Sequence, residues 1–212
     1  MKFTNGYWLL REGVQARYPT QAYDVALESD ALVVYAPTER IRHRGDTLNQ
    51  PLLTVRCSSP ALDVISVKIS HFLGEKSRLP EFPLNSDPSA QVYTELDDDH
   101  ATITAGALSA RFERGDGWAL EFFGGGRLLT SSGKKGMALI STDSDGPYVR
   151  EQLGLGIGEV VYGLGERFGP LVKNGQVVDI WNADGGTSSE QAYKNMPFYW
   201  TTNGYGIFVN HP

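Results

Sequence analysis

The sequence predicts an all-β protein, an antiparallel β-sandwich with very little helix. Three observations carry that expectation. Apolar residues recur with period two over short runs, the pattern of half-buried strands. Turn residues punctuate those runs at close intervals, with 24 glycines and 11 prolines among 212 residues. No stretch sustains the 3.6-residue period of a long amphipathic helix. Sandwiches of this kind often fill such a length as one domain, so residues 1–212 are read as a single domain, large enough to bury its own core.

In chain order, residues 6–10 read as a first strand, with Tyr7 and Leu9 on one face and Trp8 and Leu10 on the other. A strand apolar on both faces is expected to be covered on both sides. Pro19 breaks the next segment. Residues 23–28 and 32–36 form a hairpin across Ser29 and Asp30. Residues 39–46 read as a polar loop, where Arg40, Arg42, His43 and Arg44 make a solvated surface rather than an anion site. Leu53, Val55 and Cys57 alternate with Thr54, Arg56 and Ser58, which places Cys57 in the core as a small apolar residue rather than a nucleophile. Ile65, Val67, Ile69 and His71 alternate with polar residues, which puts His71 on the core side as a satisfied structural histidine.

Residues 74–90 hold Pro80, Pro83 and Pro88 and read as an irregular connection. Residues 92–96 are a strand, and Asp97, Asp98, Asp99 and His100 a turn. Three adjacent carboxylates lack the alternating spacing and turn glycine of a calcium loop, so a solvated turn is expected. Residues 101–105 and 108–113 form the clearest hairpin, with Leu108, Ala110 and Phe112 facing in. Trp118, Leu120 and Phe122 continue the alternation. Gly124, Gly125 and Gly126 make a turn into a short strand at 127–130, and no Gly-Lys-Ser/Thr pattern turns that triplet into a phosphate loop. Residues 137–141 and 148–153 are further strands. The best helical candidate is a single turn that Ser188 and Gln191 would open as a capping box, running through Tyr193.

The formal net charge of −6, with no Lys/Arg run, argues against a nucleic-acid surface. The single cysteine excludes an internal disulfide framework and fits a reducing compartment. Residues 1–10 lack the apolar core of a signal peptide, and no run is long enough to span a bilayer, so a cytoplasmic location is expected and no membrane partner. His43, His71, His100 and His211 are scattered, without HExxH or CxxC spacing, and no metal is expected. Glycines 154, 156, 158, 163 and 165 lack the offset and the following helix of a dinucleotide fingerprint, so no cofactor is expected either.

The chemistry concentrates in the last third, where short aromatic and β-branched runs at 160–168, 177–181, 193–200 and 204–210 alternate with Gly-rich turns. The turn at 182–187 sets Asp184 beside Gly185 and Gly186, which permit positive φ and close approach of another group. Aromatic walls with a carboxylate on such a turn make a sugar-facing surface; the commoner role of the turn is an Asp184 that bonds its own backbone. Glycosidase chemistry needs two carboxyl groups roughly 5–10 Å apart. Glu166, Asp179, Asp184 and Glu190 are the available candidates, although Glu166 and Arg167 read equally well as structural ion-pair partners.

The runs Tyr-Gly-Leu-Gly-Glu-Arg-Phe from Tyr162, Trp-Asn-Ala-Asp-Gly-Gly-Thr from Trp181 and Tyr-Lys-Asn-Met-Pro-Phe-Tyr from Tyr193 resemble the N-terminal region of glycoside hydrolase family 31. The opening at Gly6 and the run Gly206 to Pro212 are most similar to its bacterial α-xylosidase branch. The resemblance spans the chain and is densest after residue 150. It implies a supersandwich, galactose-mutarotase-like domain that precedes a (β/α)8 barrel expected after residue 212. In that family the nucleophile and acid/base of the retaining double displacement are barrel aspartates. No catalytic residue is therefore expected in this chain, and the 212 residues alone are expected to be inactive. The N-terminal domain lends a loop to the pocket rim, and the aspartate of its Trp-Asn-x-Asp motif corresponds to Asp184, a hydroxyl-binding carboxylate. Ala183 departs from relatives that carry a larger or charged residue there. The implied partners are the domain's own barrel and α-xylosides or related oligosaccharides. The isolated domain is expected to expose an apolar patch near 160–208, or to self-associate as a homo-oligomer through it, with Trp181, Phe198, Tyr199, Trp200 and Phe208 as its members. The competing readings are an autonomous carbohydrate-binding module, the same domain of an α-glucosidase, and a purely structural domain.

Overall fold

The computed structural model describes residues 2–6, 9–71, 86–87, 90–144, 146–183, 192 and 194–211. Tyr7, Trp8, most of the 74–90 connection, the Ser188–Gln191 capping box, Asp184 and Glu190 lie outside the described residues. The described chain is almost entirely strands and turns, in two compact units, Met1–Gly154 and Leu155–Pro212.

The first unit is built on two antiparallel sheets. One runs in the order β4 (Asp24–Leu27), β5 (Ala31–Pro37), β6 (Leu52–Ala61), β7 (Val64–Ser70). The other runs β12 (Arg127–Ser132), β11 (Leu120–Gly124), β10 (Leu108–Glu113), β9 (His100–Ala105), β8 (Tyr93–Leu96). Strand side chains alternate between faces, so each strand sends every second residue into the gap between sheets. Leu53, Val55 and Cys57 of β6, Ala101 and Ile103 of β9, and Ala110 and Phe112 of β10 meet there with Leu32, Val34 and Ala36 of β5. Phe112 packs edge-on against Trp118, ring centroids 5.7 Å apart. The hairpin from β11 to β12 turns on Gly125 and Gly126, both at positive φ, as a two-residue connection with the right twist requires.

A third sheet joins β3 (Val14–Arg17), β13 (Ala138–Thr142) and β14 (Tyr148–Arg150), with β13 central. Strand β3 is missing from the sequence reading: its alternation, Val-Gln-Ala-Arg, lasts only four residues, and its partner lies more than a hundred residues away, with Leu139 opposite Arg17. A two-strand ribbon, β1 (Thr4–Asn5) with β2 (Leu9–Leu10), begins the chain.

Three expectations change. The first strand is not covered on both sides: Leu9 is 69% exposed, and Gly6 at positive φ turns the chain instead of extending it. His71 is exposed beyond the end of β7, its Nδ1 3.3 Å from the Leu52 carbonyl, so it is a surface rather than a core histidine. The 177–183 segment forms no strand and leaves Val177, Ile180 and Trp181 exposed. By contrast Asp97 takes the expected turn role, accepting from the Asp99 and His100 amides at 2.8 and 2.7 Å; those bonds, the His100 amide first, hold its carboxyl below the usual range. The 39–46 loop ends in a short 3-10 turn, Arg44–Thr47, capped reciprocally by His43 and Asp46. No helix among the described residues is long and apolar enough to cross a membrane.

Cys57 is fully buried, and burial pushes its thiol up to about 12 from 9.0. The native thiol is therefore expected to resist an aromatic disulfide reagent at mildly alkaline pH and to react at once in denaturant. The folded state holds this proton longer than the unfolded chain. The thiol's contribution to stability is therefore intact below pH 9.0 and falls as pH rises from there towards about 12, which alkaline denaturant titrations of the wild type and Cys57→Ala will compare. Replacing Phe112, at the centre of the same core, by Ala is expected to cost about 3–5 kcal/mol in a urea titration.

Candidate functional site

The second unit has one antiparallel sheet, with β16 (Asn195–Thr201) between β15 (Val161–Gly165) and β17 (Gly206–Phe208). Alternation along β16 sends Met196, Phe198 and Trp200 outward and half-buries Pro197 and Tyr199. Directly paired residues share a face: Tyr162 lies opposite Trp200 and stacks on it at 4.7 Å, and Phe208 lies opposite Phe198. Phe198, Trp200, Phe208 and Trp181 are all exposed. Burial, with Tyr205 and Glu159 nearby, pushes the Tyr199 phenol up to about 12.

Strand β15 closes on β16 through a bulge in which two positions leave no room for a side chain. Gly163, Leu164 and Gly165 all have positive φ, and the register shifts across them. A Cβ on Gly163 would meet the Phe198 carbonyl oxygen at 2.6 Å, and one on Gly165 the Lys194 carbonyl oxygen at 2.2 Å. The Gly-Leu-Gly run is thus a backbone-contact device of a sheet.

The bulge aims Glu166 and Arg167 differently. The Glu166 amide donates to the Lys194 carbonyl at 3.1 Å, and its carboxylate pairs with Lys194 Nζ at 3.1 Å on the open surface. Such an exposed pair contributes about 0–1 kcal/mol. Arg167 turns away from Glu166 and donates to the Leu164 carbonyl at 3.1 Å, the Asp179 carbonyl at 2.5 Å and Asn195 Oδ1. The expected Glu166–Arg167 pair is therefore replaced by two separate sets of partners. A guanidinium has five donors in a fixed fork, which suits it to gather several carbonyls from one position. Asp179 enters this network through its backbone.

Asn195 completes the network. Its Nδ2 lies 2.7 Å from the Trp181 carbonyl, 2.6 Å from the Ala192 carbonyl and 3.0 Å from Asn182 Oδ1, while its backbone amide donates to Asn182 Oδ1 at 3.2 Å. The Ala183 amide donates to the Ala192 carbonyl at 3.1 Å, and an isolated bridge joins Asn182 to Ala192. Ala183 and Ala192, the described residues flanking 184–191, are thus pinned together as a neck. Asp184 and Glu190 lie between them, outside the described residues, so of the four candidate carboxylates the structure places Glu166 and Asp179. Sequence reasoning assigned Asn195 no role; the signal available was its place in Tyr-Lys-Asn-Met-Pro, next to the pairing strand.

The antiparallel sheets, the sandwich core of the first unit and the aromatic sheet of the second define a galactose-mutarotase-like β protein. The chain belongs to the glycosyl hydrolase 31 N-terminal galactose mutarotase-like domain family, whose profile matches residues 54–212. It is 46% identical over 212 residues to the alpha-xylosidase XylQ of Lactiplantibacillus pentosus, covering 99% of this chain and 27% of that relative. An alpha-xylosidase of Emericella nidulans is 38% identical over 232 residues, with 100% of this chain and 30% of the relative covered. The cycloalternan-forming enzyme from Listeria monocytogenes shares the fold, with a TM-score of 0.72 at 18% identity over 93% of this chain and 18% of that one. The chain thus spans less than a third of the length of the curated relatives it matches.

Two substitutions test the neck. Asn195→Ala leaves the Trp181 and Ala192 carbonyls without this partner, which is expected to cost about 1–3 kcal/mol and to speed amide exchange at Ala183. Gly165→Ala places a methyl on backbone at positive φ and is expected to lower the melting temperature at least as far.

Proposed function

We propose that this chain is the N-terminal accessory domain, residues 1–212, of a retaining α-glycosidase acting on terminal α-xylosyl residues. In this reading the chemistry belongs to a (β/α)8 barrel that follows residue 212, and the domain packs on that barrel. The observation that carries the reading is 46% identity along the whole chain to an alpha-xylosidase nearly four times as long. The same relation favours xylosides over glucosides. The exposed aromatic sheet of β15, β16 and β17 supports a packing role, because large apolar patches on a surface mark interaction sites. A cytoplasmic setting belongs to the same reading and is supported by the one cysteine, held as a buried thiol.

Asp184 is the residue this reading assigns to substrate. It follows Ala183 directly, and Ala183 is fixed by its bond to the Ala192 carbonyl. A segment whose ends are tied to the Asn195 and Arg167 network loses less freedom when it meets a ligand, which is the physical advantage of preorganisation. A carboxylate there accepts hydrogen bonds from sugar hydroxyls, and charge-assisted bonds are the stronger kind. It orients the sugar without entering the covalent step.

The test is kcat/KM on an aryl α-xyloside for the complete enzyme and its Asp184→Ala and Asp184→Asn variants, with thermal melts beside it. Loss of one such bond is expected to cost about 1.5–3 kcal/mol, about ten- to hundredfold in kcat/KM, at unchanged melting temperature. Wild-type kinetics with lowered melting temperatures would make Asp184 a turn residue only. Hydrolysis by the 212-residue chain alone, abolished by Asp184→Ala, would overturn the accessory-domain reading.

A further inference from the structure

The first unit contains a cleft that the proposed function does not use. Its volume is about 330 Å³, and its walls come from four separate segments: residues 16–20 at the end of β3, 38–39 after β5, 117–118 before β11 and 134–135 between β12 and β13. That size lies at the small end of the range for ligand clefts, about 300–1,000 Å³, and suits one or two rings rather than an extended chain.

The walls are fastened to the core. Thr20 donates through its amide to the Pro37 carbonyl at 2.9 Å, and the Thr38 amide to Pro51 at 3.1 Å. Gln21 bridges to Gly117, which holds the first and third segments side by side. Arg150 donates to the Lys135 carbonyl at 2.8 Å and lies 5.6 Å from the Tyr18 ring, while Lys135 Nζ sits 5.8 Å from the same ring. Trp118 is buried to 3% exposure and anchors its wall in the sandwich core. The cleft is therefore a preformed feature of the sandwich.

Its chemistry is uneven in a way that specifies a ligand. The lining is mostly apolar, with Tyr18, Pro19 and Trp118 contributing. Arg17, Lys134 and Lys135 bring three cations against one carboxylate, Glu39, and none of the three is in a salt bridge among the described residues. This positive cluster stands on a protein of net charge −6. The hydroxyls of Thr20 and Thr38 already donate, to the Pro37 and Pro51 carbonyls at 3.1 and 3.2 Å. Towards a ligand they are acceptors, as is Glu39. A molecule that satisfies all of this has a compact ring with an apolar C–H face, hydroxyls to donate and one anionic group.

The geometry points to a binding site for an acidic monosaccharide in this cleft, with the sugar ring against the half-buried Tyr18, its anionic group among Arg17, Lys134 and Lys135, and its hydroxyls donating to Glu39. The anion is a carboxylate or a phosphate; both fit the same cations, since lysine and arginine recognise either. Nothing here depends on Asp184 or on the identity of the barrel.

Calorimetric titration of the 212-residue protein at low salt tests the site, with D-glucuronate, a hexose monophosphate, neutral D-glucose, acetate and inorganic phosphate as separate probes. Saturable binding of glucuronate, of the hexose phosphate or of both is expected, and which of them binds identifies the anion. D-glucose and the bare anions should each be about tenfold weaker or worse. The Arg17→Gln/Lys134→Gln double variant should weaken binding about tenfold at unchanged melting temperature, since both side chains are exposed, and Tyr18→Ala should weaken binding about as far. Glu39→Ala should weaken it as well, because a hydroxyl acceptor is lost. Absence of binding by either sugar acid, equal binding of D-glucose or of the bare anion, indifference to the Arg17/Lys134 and Tyr18 changes, or tighter binding in Glu39→Ala would each overturn the proposal.

Discussion

The side-chain amide of Asn195 reaches the Trp181 and Ala192 carbonyls and the Asn182 side chain, and its own oxygen accepts from Arg167. The 177–183 segment forms no strand, and apart from the Ala183 bond and the Asn182 bridge to Ala192 it is tied to the sheet through side chains, the Asn195 amide at the Trp181 carbonyl and the Arg167 guanidinium at the Asp179 carbonyl. Asn195 can serve in this way because β16 holds it in register and because the glycine bulge lets the β15 backbone close on β16 at Phe198 and Lys194. Removing any one of these three parts leaves the other two without their purpose.

Two kinds of organisation therefore coexist in the chain. In the first unit ladder bonds satisfy the backbone and alternating side chains fill the gap between sheets, so stability rests on apolar burial around Phe112, Ile103 and Val55. In the second unit the sheet is three strands wide, with the Tyr162, Phe198, Trp200 and Phe208 face turned outward. A small sheet with one solvated aromatic face is a poor candidate for independent stability, and a polar knot of arginine and asparagine supplies what a second apolar layer would otherwise give.

The candidate site was legible in the sequence as a place but not as a mechanism. The Trp-Asn-x-Asp and Tyr-Lys-Asn runs are polar motifs among aromatics, and Trp181, Asn182 and Asn195 of those runs fall within the network. What they do for one another was hidden, because Asn182 and Asn195 are thirteen residues apart and meet only through the return of β16. Glu166 and Arg167 illustrate the same limit. Adjacent opposite charges suggest a pair, yet just past the end of β15 the two side chains found separate partners, Glu166 on Lys194 and Arg167 on the Asp179 carbonyl and Asn195.

The sequence by itself determined the fold class and most strand positions. Leu53, Val55 and Cys57, or Ala101, Ile103 and Ala105, announce a buried face because strand geometry converts period two directly into sidedness. It also determined the turns, since Gly125 and Gly126 allow a backbone that other residues resist. Only the tertiary structure decided that β3 pairs with β13, that His71 stands in solvent, that Leu9 is left uncovered, and that four separate segments line a cationic cleft. The reason is physical. Periodicity and turn chemistry are properties of neighbouring residues, whereas sheet order, exposure at strand ends and cleft walls depend on residues far apart in the chain, whose meeting no local pattern records.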